Sequence, residues 1–217
     1  MKKRIVVLAA ISLFGCSSEE LETQNFGSDM FKSDYYFLNA TQHELSYHMR
    51  NAEIDGDDRD PTDNKYRVAE LAQRGAVSHV VHEHNAGRKV NMLAHAPLSN
   101  GIEERLAFKA DLDKHYNVVN WQNQGNISMS VFERRTSNKE AIIRTRLFVT
   151  EPDISIKVNG ETITTSLGKV TDFFDVEHCQ STLEVNESFI DVCDASFGDS
   201  YLVILSADGL VNLFRES

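Results

Sequence analysis

Proline and glycine are scarce, three and eleven in 217 residues. No stretch is rich enough in either to form a low-complexity linker. Basic residues are outnumbered by acidic ones, 22 to 33, giving a net charge of −11. That balance argues against nucleic-acid binding, because phosphate recognition needs a basic footprint. After Phe14 no long apolar run remains, and a transmembrane helix needs roughly 20 apolar residues. Gly-x-Ser-x-Gly, His-Glu-x-x-His, the P-loop and Gly-x-Gly-x-x-Gly are all missing. The chain therefore carries no nucleophile elbow, zincin helix or nucleotide fingerprint, and it reads as non-enzymatic with no cofactor. Its three cysteines include no Cys-x-x-Cys pair, which removes the support for a thioredoxin-like redox role.

What is present begins at the N-terminus. "MKKRIVVLAAISLFG" places Lys2, Lys3 and Arg4 before an apolar run from Ile5 to Phe14. Residues 1–15 read as a signal peptide, since the run is too short to span a bilayer. The following "LFGC" (13–16) resembles the lipobox of bacterial lipoproteins. That resemblance implies acylation of Cys16, with residues 16–33 as lipidated cysteine and flexible tether, and a membrane partner reached through the lipid. Several acyl chains make a stable anchor, at about 0.8 kcal/mol per buried CH₂. Ser17 after the cysteine resembles the sorting pattern that implies an outer-membrane anchor, facing the periplasm or the cell surface. Cys179 and Cys193 remain, and two cysteines in an exported chain suggest one disulfide. The segment between them, "STLEVNESFIDV", reads as strand, turn and strand with the turn near Asn186-Glu187.

From Asp34 onward the apolar runs are short and bounded by Gly, Asn, Asp or Ser, as in "LSYHM", "KVNML", "TRLFV" and "YLVIL". This is the pattern of an all-β protein with many short antiparallel strands. Val68, Leu71 and Ala72 in "KYRVAELAQRG" (65–75) have helical spacing, and "NGIEERLAFKADL" (100–112) fits helix or strand. Three pairs of segments match in the same order along the chain: "ELSYHMRN" (44–51) with "DISIKVNG" (153–160), "GAVSHVVHEH" (75–84) with "GKVTDFFDVE" (168–177), and "YNVVNWQNQG" (116–125) with "YLVILSADG" (201–209). Such collinear matches indicate duplication. The expected fold is all-β, two immunoglobulin-like antiparallel β-sandwich domains in tandem, at 34–135 and 136–217. The first carries an inserted acidic loop and a short helix between 51 and 75.

The second copy, through "RLFVTEPDISIKVNG" (146–160) and "LGKVTDFFDV" (167–176), resembles a family of small β-sandwich repeats in bacterial exported proteins, classed as a domain of unknown function. "YYFLNATQHELSYHMRN" (35–51) and "GAVSHVV" (75–81) are its weaker counterparts in the first copy, where Arg50-Asn51 replaces the Asn-Gly turn. The resemblance implies a β-sandwich fold and brings no site residues.

Candidate sites are few. "SHVVHEH" (78–84) puts three of the eight histidines in six residues. On a strand His82 and His84 share a face, and paired imidazoles suit Zn or Cu, with His48, His95 or His115 as a third ligand. In the aligned second copy, His79, His82 and His84 correspond to Asp172, Asp175 and Glu177, so a solvated polar strand is the preferred reading. Asp55, Asp57 and Asp58 in the acidic loop have the oxygens for Ca²⁺, but Arg59 and Pro61 interrupt the run and a solvated loop is preferred. Trp121 with Tyr116 reads as core packing, with carbohydrate stacking as the alternative. The combined expectation is a cell-envelope lipoprotein acting as a non-catalytic binding or structural module, with an envelope protein or glycan as partner. The alternatives are a periplasmic metal-binding protein using the histidine strand, and a hydrolase with an unrecognised site.

Overall fold

The computed structural model describes residues 30–53, 57–75, 77–85, 88–99 and 101–216. Cys16, the stretch 1–15 read as a signal peptide, and Asp55 lie outside them. Eight strands form the first half: β1 (Met30–Asn39), β2 (Leu45–Asn51), β3 (Arg67–Leu71), β4 (Ser78–Asn85), β5 (Lys89–His95), β6 (Glu103–Lys109), β7 (Tyr116–Asn123) and β8 (Asn126–Glu133). Eight more form the second: β9 (Ile143–Val149), β10 (Ile156–Val158), β11 (Glu161–Ile163), β12 (Phe174–Val176), β13 (Leu183–Val185), β14 (Ser188–Phe189), β15 (Ser200–Ser206) and β16 (Gly209–Arg215). Strand β1 starts inside the stretch read as tether, and Ser33 is fully buried.

The protein is all-β, two sandwiches in tandem. The first half has sheets ordered β4-β1-β7-β8 and β3-β2-β5-β6; the second has β12-β9-β15-β16 and β11-β10-β13-β14. The two sets of orders correspond strand for strand, including the parallel pairs β1 with β7 and β9 with β15. The same tyrosine lock recurs too. The Asp111 N–H donates to the Tyr116 hydroxyl and the Ser196 N–H to the Tyr201 hydroxyl, both at 2.8 Å. A tyrosine near the start of a strand, bonded to backbone just upstream, is a feature of immunoglobulin-like sandwiches.

Alternation along each strand sorts the side chains into cores. Tyr35 and Phe37 of β1, Tyr47 and Met49 of β2 and Val118 of β7 fill the first sandwich. Leu147 and Val149 of β9 with Tyr201, Val203 and Leu205 of β15 fill the second. The intervening residues build a third core: Leu38, Val119 and Trp121 pack with Phe148, Leu202 and Ile204. The central strands β7 and β15 of the two inner sheets are thus buried on both faces, and the molecule is four sheets deep. Sheets covered on both sides read as continuous apolar runs rather than alternating ones, and "YLVILS" of β15 is buried at every position.

Gly168 is a required residue of this seam. Its φ is +68°, and a Cβ there would lie 2.6 Å from the Trp121 ring. The Trp121 indole N–H donates to Ser130 Oγ (3.1 Å), which donates to the Gly168 carbonyl (2.8 Å), bridging the two halves. Gly168→Ala is expected to destabilise by about 1–3 kcal/mol through overpacking and left-handed strain. Urea unfolding followed by fluorescence of Trp121, the chain's single tryptophan, measures it.

Two local expectations change. The helix over 65–75 is instead one 3₁₀ turn, Asn64–Tyr66, followed by β3. A bulge in the β2–β3 pairing lets Val68, Ala69 and Leu71 all pack on the core, which reproduces helical spacing in a strand. The ambiguous stretch 100–112 contains β6, whose burial alternates along its length. The hairpin between the cysteines forms as expected, with Asn186 and Glu187 at φ 47° and 68°, both central residues of a two-residue turn. Cys179 and Cys193 are disulfide-bonded, with Cα atoms 4.9 Å apart.

Candidate functional site

The histidine strand does not present its pair to solvent. His79, Val81 and Glu83 face outward, whereas Val80, His82 and His84 face inward. His84 is fully buried. Its Nδ1–H donates to the Asn85 carbonyl (3.2 Å), so Nε2 accepts from the Ser33 hydroxyl (2.9 Å). His82 Nε2 donates to Asn51 Oδ1 (2.8 Å), and the ring meets Tyr35 edge-on. Burial, followed by the neighbouring His84, lowers the His82 pKa to about 4. The solvated reading of His82 and His84 is corrected, and the cause lies in the alignment of the copies. Tyr35 pairs with Tyr116 and Val80, while Thr145 pairs with Tyr201 and Phe174. Since Tyr116 and Tyr201 correspond, so do Val80 and Phe174, one residue away from the match made by sequence. His82 then corresponds to buried Val176, not to Asp175.

Tyr116 and Trp121 are also buried, at 3% and 7% exposure. They are core residues, and the carbohydrate-stacking alternative falls. The carboxylates of the acidic insertion are spread over separate partners. Asp58 lies 3.6 Å from Lys89, Asp60 receives Arg105 at 2.8 Å, and Asp63 caps the 3₁₀ turn through the Lys65 N–H (3.0 Å). The Asp57 carbonyl accepts from the Glu53 N–H at 2.9 Å.

This insertion is a strap across the outer face of β3-β2-β5-β6. Leu45, Tyr47 and Met49 point into the core, so Ser46, His48 and Arg50 point away from it. Ser46 and His48 are nonetheless only 2% and 1% exposed, with the strap lying over His48. Arg50 donates to the Asp60 carbonyl (3.1 Å) and lies over the Tyr66 ring at 4.6 Å. Arg105, then the Thr62 hydroxyl and its backbone N–H, hold the Asp60 carboxyl below the usual carboxylate range. Beneath the strap, His48 Nδ1 meets the Asp63 carbonyl at 3.3 Å, and its Nε2 lies 3.2 Å from Nε2 of His95. Since a carbonyl only accepts, His48 carries its proton on Nδ1, leaving the Nε2 lone pair aimed at His95. Burial, then the neighbouring His48, lowers the His95 pKa. Glu103 is the cross-strand partner of His95.

A second cluster forms on β1. Asp34 joins two imidazoles, with Oδ1 2.5 Å from His79 Nε2 and Oδ2 2.6 Å from His115 Nδ1. Here the carboxylate itself occupies the space between the rings. An open, mostly apolar groove of about 420 Å³ lies where β6 and β8 meet the 168–170 loop, lined by Leu106, Phe108, Phe132 and Val170 among others. Cys179, Asp191 and Cys193 also converge. Both sulfurs are bonded to each other, and Asp191 accepts from the Cys193 N–H at 2.8 Å.

The His48–His95 pair was not legible as a site in the sequence, where the two residues are far apart. A usable signal existed: both occupy outward positions of paired strands, and the acidic insertion follows β2 directly. Comparison of the chain with family models gives no match, and comparison with curated proteins gives none.

Proposed function

We propose that this chain is a lipid-anchored envelope protein acting as a non-catalytic binding or structural module. The observation that carries the reading is the seam. Because the central strands of both inner sheets pack on both faces, the two sandwiches form one stiff body that holds its outer faces and end loops at fixed spacing. A stiff presenter on a lipidated tether suits a recognition or spacing role, with an envelope protein or glycan as partner at the loops or in the groove. The Cys179–Cys193 disulfide supports an oxidising compartment outside the cytoplasm. The lipobox-like "LFGC" supports acylation at Cys16 and an outer-membrane location. The domain division near residue 135 belongs to the same reading, with the halves as copies of one ancestral sandwich.

Metabolic labelling with palmitate in a bacterial host, followed by fractionation, tests the anchor. Wild type is expected to incorporate label and sediment with membranes, whereas Cys16→Ala should lose both. A soluble, unlabelled wild-type protein with free thiols at Cys179 and Cys193 would remove the reading.

A further inference from the structure

From the strapped face we propose a transition-metal site, for Zn²⁺ or Cu²⁺, with His48 and His95 as its nitrogen ligands. The ring geometry argues for it. Zinc–nitrogen bonds of about 2.0–2.1 Å at a tetrahedral angle set two nitrogens about 3.3 Å apart and, for rings of about 1.15 Å radius, their centroids about 5.2 Å apart. Here Nε2 lies 3.2 Å from Nε2 and the centroids are 5.2 Å apart. Collinear rings sharing one proton over that distance would have centroids about 5.5 Å apart. The two imidazoles are therefore bent relative to each other, a geometry that a hydrogen bond between them satisfies and that two rings converging on one ion also take.

The protein also prepares the ligands. His48 is fixed by the contact of its Nδ1 with the Asp63 carbonyl, and a backbone acceptor on the far nitrogen is the usual support for a metal-binding imidazole. His95 is more open than His48, which leaves an entry path beside the strap. Glu103, opposite His95 in register, is held by Arg105 at 3.1 Å and does not join the two imidazoles at ligand distance, so water supplies the remaining positions. Two imidazole ligands with the remaining positions open to water favour Zn²⁺ and Cu²⁺ over Ca²⁺ and Mg²⁺, which prefer all-oxygen shells. This site is distinct from strand β4, whose His82 and His84 are bonded to Asn51 and Ser33.

Titration calorimetry on the full chain, freed of metal by chelator and kept oxidised, tests the site with ZnCl₂ and CuSO₄ in turn. Wild type is expected to bind one equivalent of at least one metal at micromolar concentration. His95→Ala and His48→Gln should each weaken binding by about tenfold or more, while His82→Ala keeps wild-type binding. Circular dichroism confirms that each variant is folded, and His95→Gln replaces His95→Ala if the latter is not. Wild type that binds neither metal, a folded His95 variant that binds as wild type does, or loss of binding in His82→Ala alone would each overturn the assignment.

Discussion

Arg146→Ala is expected to cost about 3–5 kcal/mol, the range for removing one partner of a buried ion pair. Arg146 is among the largest fully buried side chains, and Glu216 beside it is 2% exposed. The guanidinium holds Glu216 through two bonds, Nε to Oε2 at 2.9 Å and Nη2 to Oε1. It also donates to the Glu133 carbonyl at 3.2 Å, and Asn117 reaches Glu216 from β7 at 2.6 Å. One carboxylate near the C-terminus thus joins β7, β9 and the segment leaving β8. Without the arginine, the carboxylate stays buried with only an amide for a partner. Folded domains are stable by about 5–15 kcal/mol in total, so a loss of this size is a large share. Glu216→Ala should behave similarly. The double variant Arg146→Met/Glu216→Leu should recover part of the loss, because no charge is left buried, although Asn117 and the Glu133 carbonyl lose partners. Urea unfolding of the four proteins measures these differences; single variants within about 1 kcal/mol of wild type would show that the pair does not hold the seam.

Acid should destabilise this protein through His82 well before its carboxylates titrate. The folded pKa is about 4, lowered first by burial and then by His84, with Glu83 opposing. The unfolded value is about 6.5. Above pH 6.5 the ring is neutral in both states and nothing is lost. As pH falls below 6.5 the unfolded chain gains a proton that the folded one refuses, so stability declines until about pH 4 and is then flat for this group. The gap between the two values corresponds to about 3 kcal/mol, most of it lost between pH 6.5 and 4.5. His82→Gln keeps a donor for Asn51 and cannot titrate. Its stability, measured by urea at pH 7.5 and 4.5, should fall by about 2–3 kcal/mol less than that of wild type. Equal declines in the two proteins would mean that His82 is not held neutral in the folded state.

Legibility in the sequence followed the range of the interactions involved. The hairpins were readable because a two-residue turn is local chemistry: Asn159-Gly160 and Asn186-Glu187 both take positive φ between paired strands. The disulfide was readable because its cysteines flank one such hairpin. The strand 67–71 was misread as helix because a bulge in its pairing with β2, invisible along the chain, brought Val68 and Leu71 to the same side. The orientation of "SHVVHEH" was lost by one residue of alignment. In a strand a one-residue slip exchanges the two faces, and it turned two inward histidines into apparent counterparts of solvated acids.

By itself the sequence determined the class of fold, the disulfide partners and the short turns. These depend on alternation, on turn residues and on neighbours close along the chain. Tertiary structure alone decided which polar residues are buried and which of them meet. His48 and His95 belong to different strands, β2 and β5, and the strap that follows β2 folds back over His48. Arg146 and Glu216 are seventy residues apart. Such pairings depend on how one sheet lies against the next and which outer face a loop crosses, and neither leaves a period in the sequence.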